Sequence, residues 1–249
     1  MSKNKPLVSC VMVSRGALLP ARWAIEGFLN QTYENRELIV VTSAARTSMG
    51  SYLDGLKNKL PPSAKIVFLR LFNAALTVGA MRNEAVKVSK GEYIATWDDD
   101  DLYGPDRLKH AMDALKETKA DAFFLRNMKV WSIPDETCFI TGNGFWPNTM
   151  VAKRSAMTKY PDVPKEEDLA QQANLVRNNN SVTRNFVDDY LYINNGANMS
   201  GNDHFRSLLR SAVKIEHNTG YAIHKVAGKT THLYHLWAKK EMARTVRHH

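Results

Sequence analysis

Four carboxylates in a row, Asp98-Asp99-Asp100-Asp101, follow the apolar run "EYIATW" in a chain that is otherwise basic, with 34 Lys and Arg against 25 Asp and Glu. Adjacent carboxylates repel, so such a run is costly unless a cation or well-placed hydrogen-bond donors compensate it. Hard oxygen ligands suit Mg²⁺ or Mn²⁺, which are typically held by one or two carboxylates and completed by substrate phosphates. The competing reading is a solvated acidic turn in which Asp101 or Asp106 caps the helix begun by "GPDRL". A second acid run, Glu166-Glu167-Asp168, opens the helical pattern "KEEDLAQQANLVRN". The helix dipole alone favours acids there, but a group-transfer reaction also needs a base of this kind. The only cysteines, Cys10 and Cys138, lie far apart and give neither a disulfide framework nor a metal-ligand spacing.

The elements that must position these acids follow from hydrophobic period. "LVSCVMV" (7–13), "ELIVV" (37–41), "KIVFLRL" (65–71) and "EYIATW" (92–97) read as buried strands. Between them, "PARWAIEGFLNQ" (20–31), "SYLDGLKNKL" (51–60) and residues 78–89 carry helical spacing, the first with a proline suited to a helix first turn. Strands alternating with helices predict an α/β fold, a mostly parallel sheet with helices on both faces. Ligands of such sheets bind beyond the carboxyl ends of the strands, which is where the four aspartates fall. Farther on, "DAFFLRNMKVW" reads as one strand, residues 165–178 as a helix, and "LYINNGANMSGNDHF" as strand, turn and helix start. With no linker, repeat or low-complexity block, one domain over 1–249 is expected.

The formal charge is +9 and 44% of residues are hydrophobic, ordinary for a packed core. Such an excess favours an anionic partner: a nucleotide, an anionic membrane surface or a nucleic acid. Apolar runs fall short of the roughly 18 residues that span a bilayer, and "MSKNKP" lacks an apolar stretch of signal type. A soluble, cytoplasmic protein is therefore expected, with the basic segment 207–249, including the helical "AKKEMARTVR", able to rest on the inner membrane face or on nucleic acid. The default for such a charge pattern is a solvated helical face.

Four ordered stretches carry a more specific signal: "PLVSCVMVS", "WAIEGFLNQTYENRELIVV", "GAMRNEAVKVSKGEYIATWDDDDLYGPDRL" and "YPDVPKEEDLAQQANLVRN". Together they resemble the family 2 glycosyltransferases of the GT-A fold: first strand, helix with Asn-Gln-Thr-Tyr turn, Ala-Arg-Asn helix with Asp-x-Asp-Asp signature, and a Glu-Asp pair at a helix start. The resemblance implies a single GT-A domain with a helical C-terminal extension, residues 1–108 binding the nucleotide-sugar and 109–206 the acceptor. It implies transfer from a nucleoside-diphosphate sugar donor to a saccharide or lipid-linked saccharide, with inversion, using Mn²⁺ or Mg²⁺ on the aspartate motif. A nucleic-acid acceptor, a nucleotidyltransferase and a non-catalytic nucleic-acid-binding module are the alternatives.

Carried onto this sequence, the resemblance makes Asp100 a direct metal ligand, Asp98 a ligand or a contact of the donor ribose, and Asp99 the middle of the motif. Asp168 becomes the base and Glu167 its neighbour. Ser14, Thr42, Ser43 and Arg82 fall with Asp98 and Asp99 among the donor-nucleotide residues; Arg82 either forks onto phosphate or holds the acids in place. Thr42 and Ser43 stand where the family usually has an acidic pair that reads uracil, which leaves the base of the donor open. "LYINNGANMSGNDHF" resembles a segment in a subgroup of these enzymes that reads Tyr, then His-Gly-x-Asn, then a later His-Phe; here Asn195 replaces the first histidine, while His204 remains, as a metal or phosphate ligand or an ordinary helix-start residue. Trp146 is a sugar-stacking platform or core filler.

Overall fold

The computed structural model describes residues 5–15, 18–42, 47–56, 60, 64–71, 73, 75–196, 198–228 and 230–246. Two sheets organise the chain. The larger contains β1 (Val8–Val13), β2 (Arg36–Thr42), β3 (Ala64–Arg70), β4 (Tyr93–Thr96), β6 (Ala122–Leu125), β9 (Val151–Lys153) and β10 (Ser181–Arg184), in the order β10-β6-β9-β4-β1-β2-β3. Strands β4, β1, β2 and β3 run parallel, as do β6 and β10, while β9 is antiparallel to both β4 and β6. The sheet is mixed, and mostly parallel as the alternating pattern requires.

Period-two alternation splits the core between its faces. Cys10, Met12, Leu38 and Val40 point to the side covered by α1 (Leu18–Leu29), α2 (Thr47–Leu56) and α4 (Arg107–Thr118). Val11, Ile39, Val41 and Ile94 point to the other, against α3 (Val78–Val88), and farther along that face α5 (Glu167–Asn178) covers Phe124 and Ala152. The helix expected at 51–60 begins one turn earlier, at Thr47, with residues 57–59 outside the described residues, and the others match their periodic segments closely.

The second sheet was not anticipated. It joins β5 (Leu102–Tyr103), β7 (Lys129–Ser132), β8 (Thr137–Ile140), β11 (Tyr190–Asn194) and β12 (Lys214–Ile215) in the order β12-β8-β7-β11-β5. "DAFFLRNMKVW" is not one strand: residues 122–125 join the large sheet and 129–132 the small one, with Arg126 to Met128 turning between them. The rest of the chain forms α6 (Gly201–Arg210), α7 (Thr219–Ala227) and α8 (Thr230–Val246). Trp23, Trp131, Leu191, Ile193, Ile223, Tyr234 and Ala238 build the core between small sheet and tail helices. Among the described residues, no helix is long and apolar enough to cross a membrane.

Candidate active site

Strand β4 is followed directly by Trp97, fully buried, whose indole N–H donates to Ala24 O at 3.0 Å and whose ring stacks on Tyr103 at 3.8 Å. This anchoring delivers Asp98, Asp99 and Asp100 to the carboxyl edge of the parallel strands. They line a cavity of about 430 Å³ together with Arg82, Glu167, Asp168, Trp146, Asn198 and His204. The two acid runs, some 70 positions apart in the chain, thus face one space.

Arg82 joins them. Its Nε donates to Glu167 Oε1 at 2.7 Å and its Nη2 to Asp98 Oδ1 at 2.9 Å, with Arg82 and Glu167 both buried. Burial works against the guanidinium charge, but Asp98 and Glu167 outweigh it and hold the Arg82 pKa well above its usual range. The approach of α3 to α5 that permits this bridge depends on Gly79: a Cβ there would lie 1.8 Å from Pro161 O. Asn83 completes the seam, donating to Tyr160 O and accepting from Tyr160 N, each at 2.9 Å. Thr77 caps α3 by accepting from Ala80 N.

The remaining acids differ in their surroundings. Asp101 is fully buried and accepts from Ile193 N at 2.8 Å and from the Tyr190 hydroxyl. It ties the acid run to the small sheet and caps no helix. Asp106 occupies the N-cap position of α4 but makes no capping bond with its side chain; it accepts from the Thr32 hydroxyl at 2.7 Å instead. Both capping expectations fail because nearer donors claim these carboxylates.

Asp99 accepts from the Ser14 hydroxyl, yet desolvation raises its pKa to about 6. Asp100 is raised to about 8, by desolvation first and then by the charges of Asp99 and Asp98. Asp168, the second residue of α5, is raised to about 6 by desolvation, against the pull of Arg82. Among the described residues no cation forms an ion pair with Asp168 or Asp100.

Ser14 lies buried just beneath Asp99, outside the cavity wall. Thr42 is buried at the end of β2 and does not line the cavity either. Ser43 falls outside the described residues. Trp146 is half-buried, its indole N–H donating to Arg126 O at 3.1 Å, so one edge is spoken for while the side chain borders the cavity. His204, in the first turn of α6, meets Tyr192 edge to face and has its pKa lowered by desolvation.

Sequence reasoning missed the residues that brace Asp100. Asn198 Nδ2 donates to Asp100 Oδ2 and to Ile193 O, both at 2.8 Å, while its Oδ1 accepts from Asn195 N at 2.7 Å. Tyr234 of α8 donates to Asp100 O at 2.7 Å. The turn signal "NNGAN", with Gly196 at φ 84°, marks a sharp turn bearing Asn198. Nothing local connects Tyr234 to an aspartate 134 positions away.

Among the described residues, no three His, Cys, Asp or Glu side chains gather into a cage that could hold a metal ion unaided. What the site offers is desolvated, mutually repelling carboxylate at Asp99 and Asp100, with one Asp100 oxygen fixed by Asn198. That supply fits a hard divalent ion whose remaining positions a diphosphate fills.

The family model for glycosyl transferase family 2 matches residues 9–137, more than half of the chain. The chain belongs to glycosyl transferase family 2. Among curated relatives, the Escherichia coli K12 protein named for colanic acid biosynthesis, glycosyl transferase WcaA, is 26% identical over 178 residues, 71% of this chain and 56% of that protein. An uncharacterized glycosyltransferase of Methanocaldococcus jannaschii is 32% identical over 109 residues, 43% of this chain and 36% of its own. This family 2 chain therefore spans between about a third and just over half the length of these relatives.

Solved structures agree on the GT-A fold. S. aureus TarS 1-349 in complex with UDP-GlcNAc superposes with TM-score 0.59 at 16% identity, covering 88% of this chain and 71% of that one. The mannosyltransferase PcManGT of Pyrobaculum calidifontis, in complex with GDP-Man and Mn²⁺, gives 0.58 at 16%, covering 94% and 72%. The family match spans β1 to β8, so it contains the aspartate run but not Asp168.

Proposed function

We propose that this chain is a metal-dependent, inverting glycosyltransferase that moves a sugar from a nucleoside-diphosphate sugar to a hydroxyl of a saccharide or lipid-linked saccharide. The carrying observation is the division among acids that Arg82 enforces. It neutralises Asp98 and Glu167 and, among the described residues, leaves Asp168 and Asp100 without an ion pair in one cavity. Family membership, and neighbours in complex with UDP-GlcNAc and with GDP-Man and Mn²⁺, support the donor class.

In this reading Asp100, with the Asp98 oxygen that Arg82 does not take, would hold the divalent ion, which when bound would offset the charge of the donor diphosphate. Asp168 accepts the proton of the acceptor hydroxyl as its oxygen bonds to the anomeric carbon. The bond from that carbon to the diphosphate oxygen breaks on the opposite face, and the nucleoside diphosphate leaves with the electron pair. A carboxylate with a pKa of about 6 suits this task, being mostly ionised at neutral pH yet more basic than a solvated aspartate. Glu167, fixed by Arg82, sets where α5 begins and therefore where Asp168 stands. Arg82 lines the cavity, and among the described residues its buried Nη1 has no hydrogen-bond partner. Trp146, Tyr192 and His204 border the acceptor side.

The test is thermal stabilisation by UDP, GDP, dTDP and CDP, each with and without Mn²⁺, on the native chain and on Asp100→Ala. A ligand that binds only the folded state raises stability by mass action. Metal-dependent stabilisation by one nucleotide, absent in the variant, is the expected result. Equal stabilisation without metal would remove the metal from the reading, and no stabilisation by any of the four would remove the donor site.

A further inference from the structure

The tail of the chain concentrates two features that its fold and proposed chemistry do not use. Residues 207–249 carry eight Lys and Arg against two Glu, so a segment of 43 residues supplies most of the excess positive charge of the whole chain. The same segment holds five of the exposed large apolar side chains of the described residues: Val213, Ile215, Tyr221, Leu233 and Leu236.

Helix α8 sorts these features by face. Tyr234 and Ala238 point inward and are fully buried, with the Tyr234 ring 5.0 Å from Trp23 and its hydroxyl on Asp100 O. His235 stacks on Trp131 at 5.4 Å, and Lys239 pairs with Glu136 on the β7–β8 turn. Leu233 and Leu236, one turn apart, stand 54% and 55% exposed, and Lys240 continues their stripe. On α7, which packs against α8, Tyr221 is 60% exposed with the Lys225 ammonium 5.0 Å from its ring centre.

We propose that the outward face of α8, Leu233 and Leu236 with Lys240, docks on an anionic phospholipid surface. Aliphatic side chains rimmed by lysines match the boundary of a bilayer, where leucine leaves water among acyl chains while ammonium groups stay with the phosphates. A nucleic-acid backbone would reward the lysines but give Leu233 and Leu236 nothing to bury against. A second copy of this chain would carry the same excess of lysines and repel. The face is held rigidly because the inward side of α8 is locked into the tryptophan cluster and onto the acid loop. Docking is peripheral, through side chains alone, and does not depend on the glycosyl-transfer reading.

Co-sedimentation with vesicles tests this, using phosphatidylcholine alone, an equimolar mixture with phosphatidylglycerol, and a DNA duplex as competitor. The chain is expected to bind the mixed vesicles, to bind phosphatidylcholine far less, and to be released as salt is raised. The double variant Leu233→Ser, Leu236→Ser is expected to lose roughly tenfold in vesicle affinity, since both side chains are exposed and their loss leaves the core intact. Val88→Ser, an exposed apolar change on α3, is expected to bind normally. Binding to DNA but not to vesicles, vesicle binding unaffected by the double variant, or a lipid-free dimer that the double variant dissociates would each overturn the proposal.

Discussion

The two acid runs, Asp98 to Asp101 and Glu166 to Asp168, look alike as sequence and behave alike in only one respect. Each gives one carboxylate to Arg82, Asp98 from the first and Glu167 from the second. Beyond that they diverge. The first run is buried and crowded, so desolvation and then mutual repulsion raise the pKa values of Asp100 and Asp101, the latter even though it accepts from Tyr190 and Ile193. The second run is a helix start, where Asp168 is raised by desolvation while Glu166 stays exposed. Crowding prepares a place for a cation, and isolation prepares a base; a single arginine between them decides which acids are left over.

The sharpest way to break this comparison is to exchange the fates of the neighbours Glu167 and Asp168. Asp168→Asn is expected to lower kcat by about 10²–10⁴-fold with folding stability unchanged or raised, because a desolvated carboxylate is removed. Glu167→Gln is expected to cost about 3 kcal/mol of stability in urea titration, because it leaves one arm of a buried arginine uncompensated. Equal effects on rate and on stability would mean that the two acids share one role. The native enzyme should also lose kcat/KM tenfold per pH unit below about 6, as Asp168 takes up its proton, and Asp168→Asn should lack that limb.

Next in size is Arg82→Met, which strands Asp98 and Glu167 together. A loss of about 3–5 kcal/mol in urea titration is expected, and a neutral outcome would show that the bridge does not hold the two runs. Gly79→Ala attacks the same junction without touching charge. With a Cβ 1.8 Å from Pro161 O, the segment leading into α5 must move, and a loss of about 1–3 kcal/mol by urea titration is expected.

The smallest effect concerns the crowded run alone. Asp99 and Asp100 have folded pKa values raised above the unfolded value, so the folded state holds more protons than the unfolded one between about pH 4 and 8. Stability of the metal-free protein should therefore fall as pH rises through that window. Asp100→Asn should flatten the dependence and raise the melting temperature at pH 8 by roughly 3 °C or more. A steeper dependence in the variant would refute the crowding argument.

The strands of the large sheet were readable because β1, β2 and β3 are six or seven residues of near-continuous apolar character, long enough for period to speak. The small sheet escaped notice because its strands run from two to five residues and, apart from the β7–β8 hairpin, pair across large sequence distances, as Leu102 does with Leu191. "DAFFLRNMKVW" reads as one strand since nothing in its composition says that Arg126 and Asn127 turn the chain from one sheet to the other. The candidate site divides in the same way. Its acids, Arg82, Trp146 and His204 were legible as residue types in context, whereas Asn198 and Tyr234 matter only through contacts with Asp100.

By itself, then, the sequence determined the alternating α/β order, the placing of four aspartates at a strand end, and the presence of a second acid run at a helix start. These are properties of local period and composition, which short windows of chain express directly. Tertiary structure alone decided which acids are neutralised. Whether a carboxylate meets Arg82, Tyr190, Asn198 or only a desolvated cavity is fixed by the packing of α3 on α5 and of the small sheet on the large. Those distances come from burial of apolar surface elsewhere in the chain.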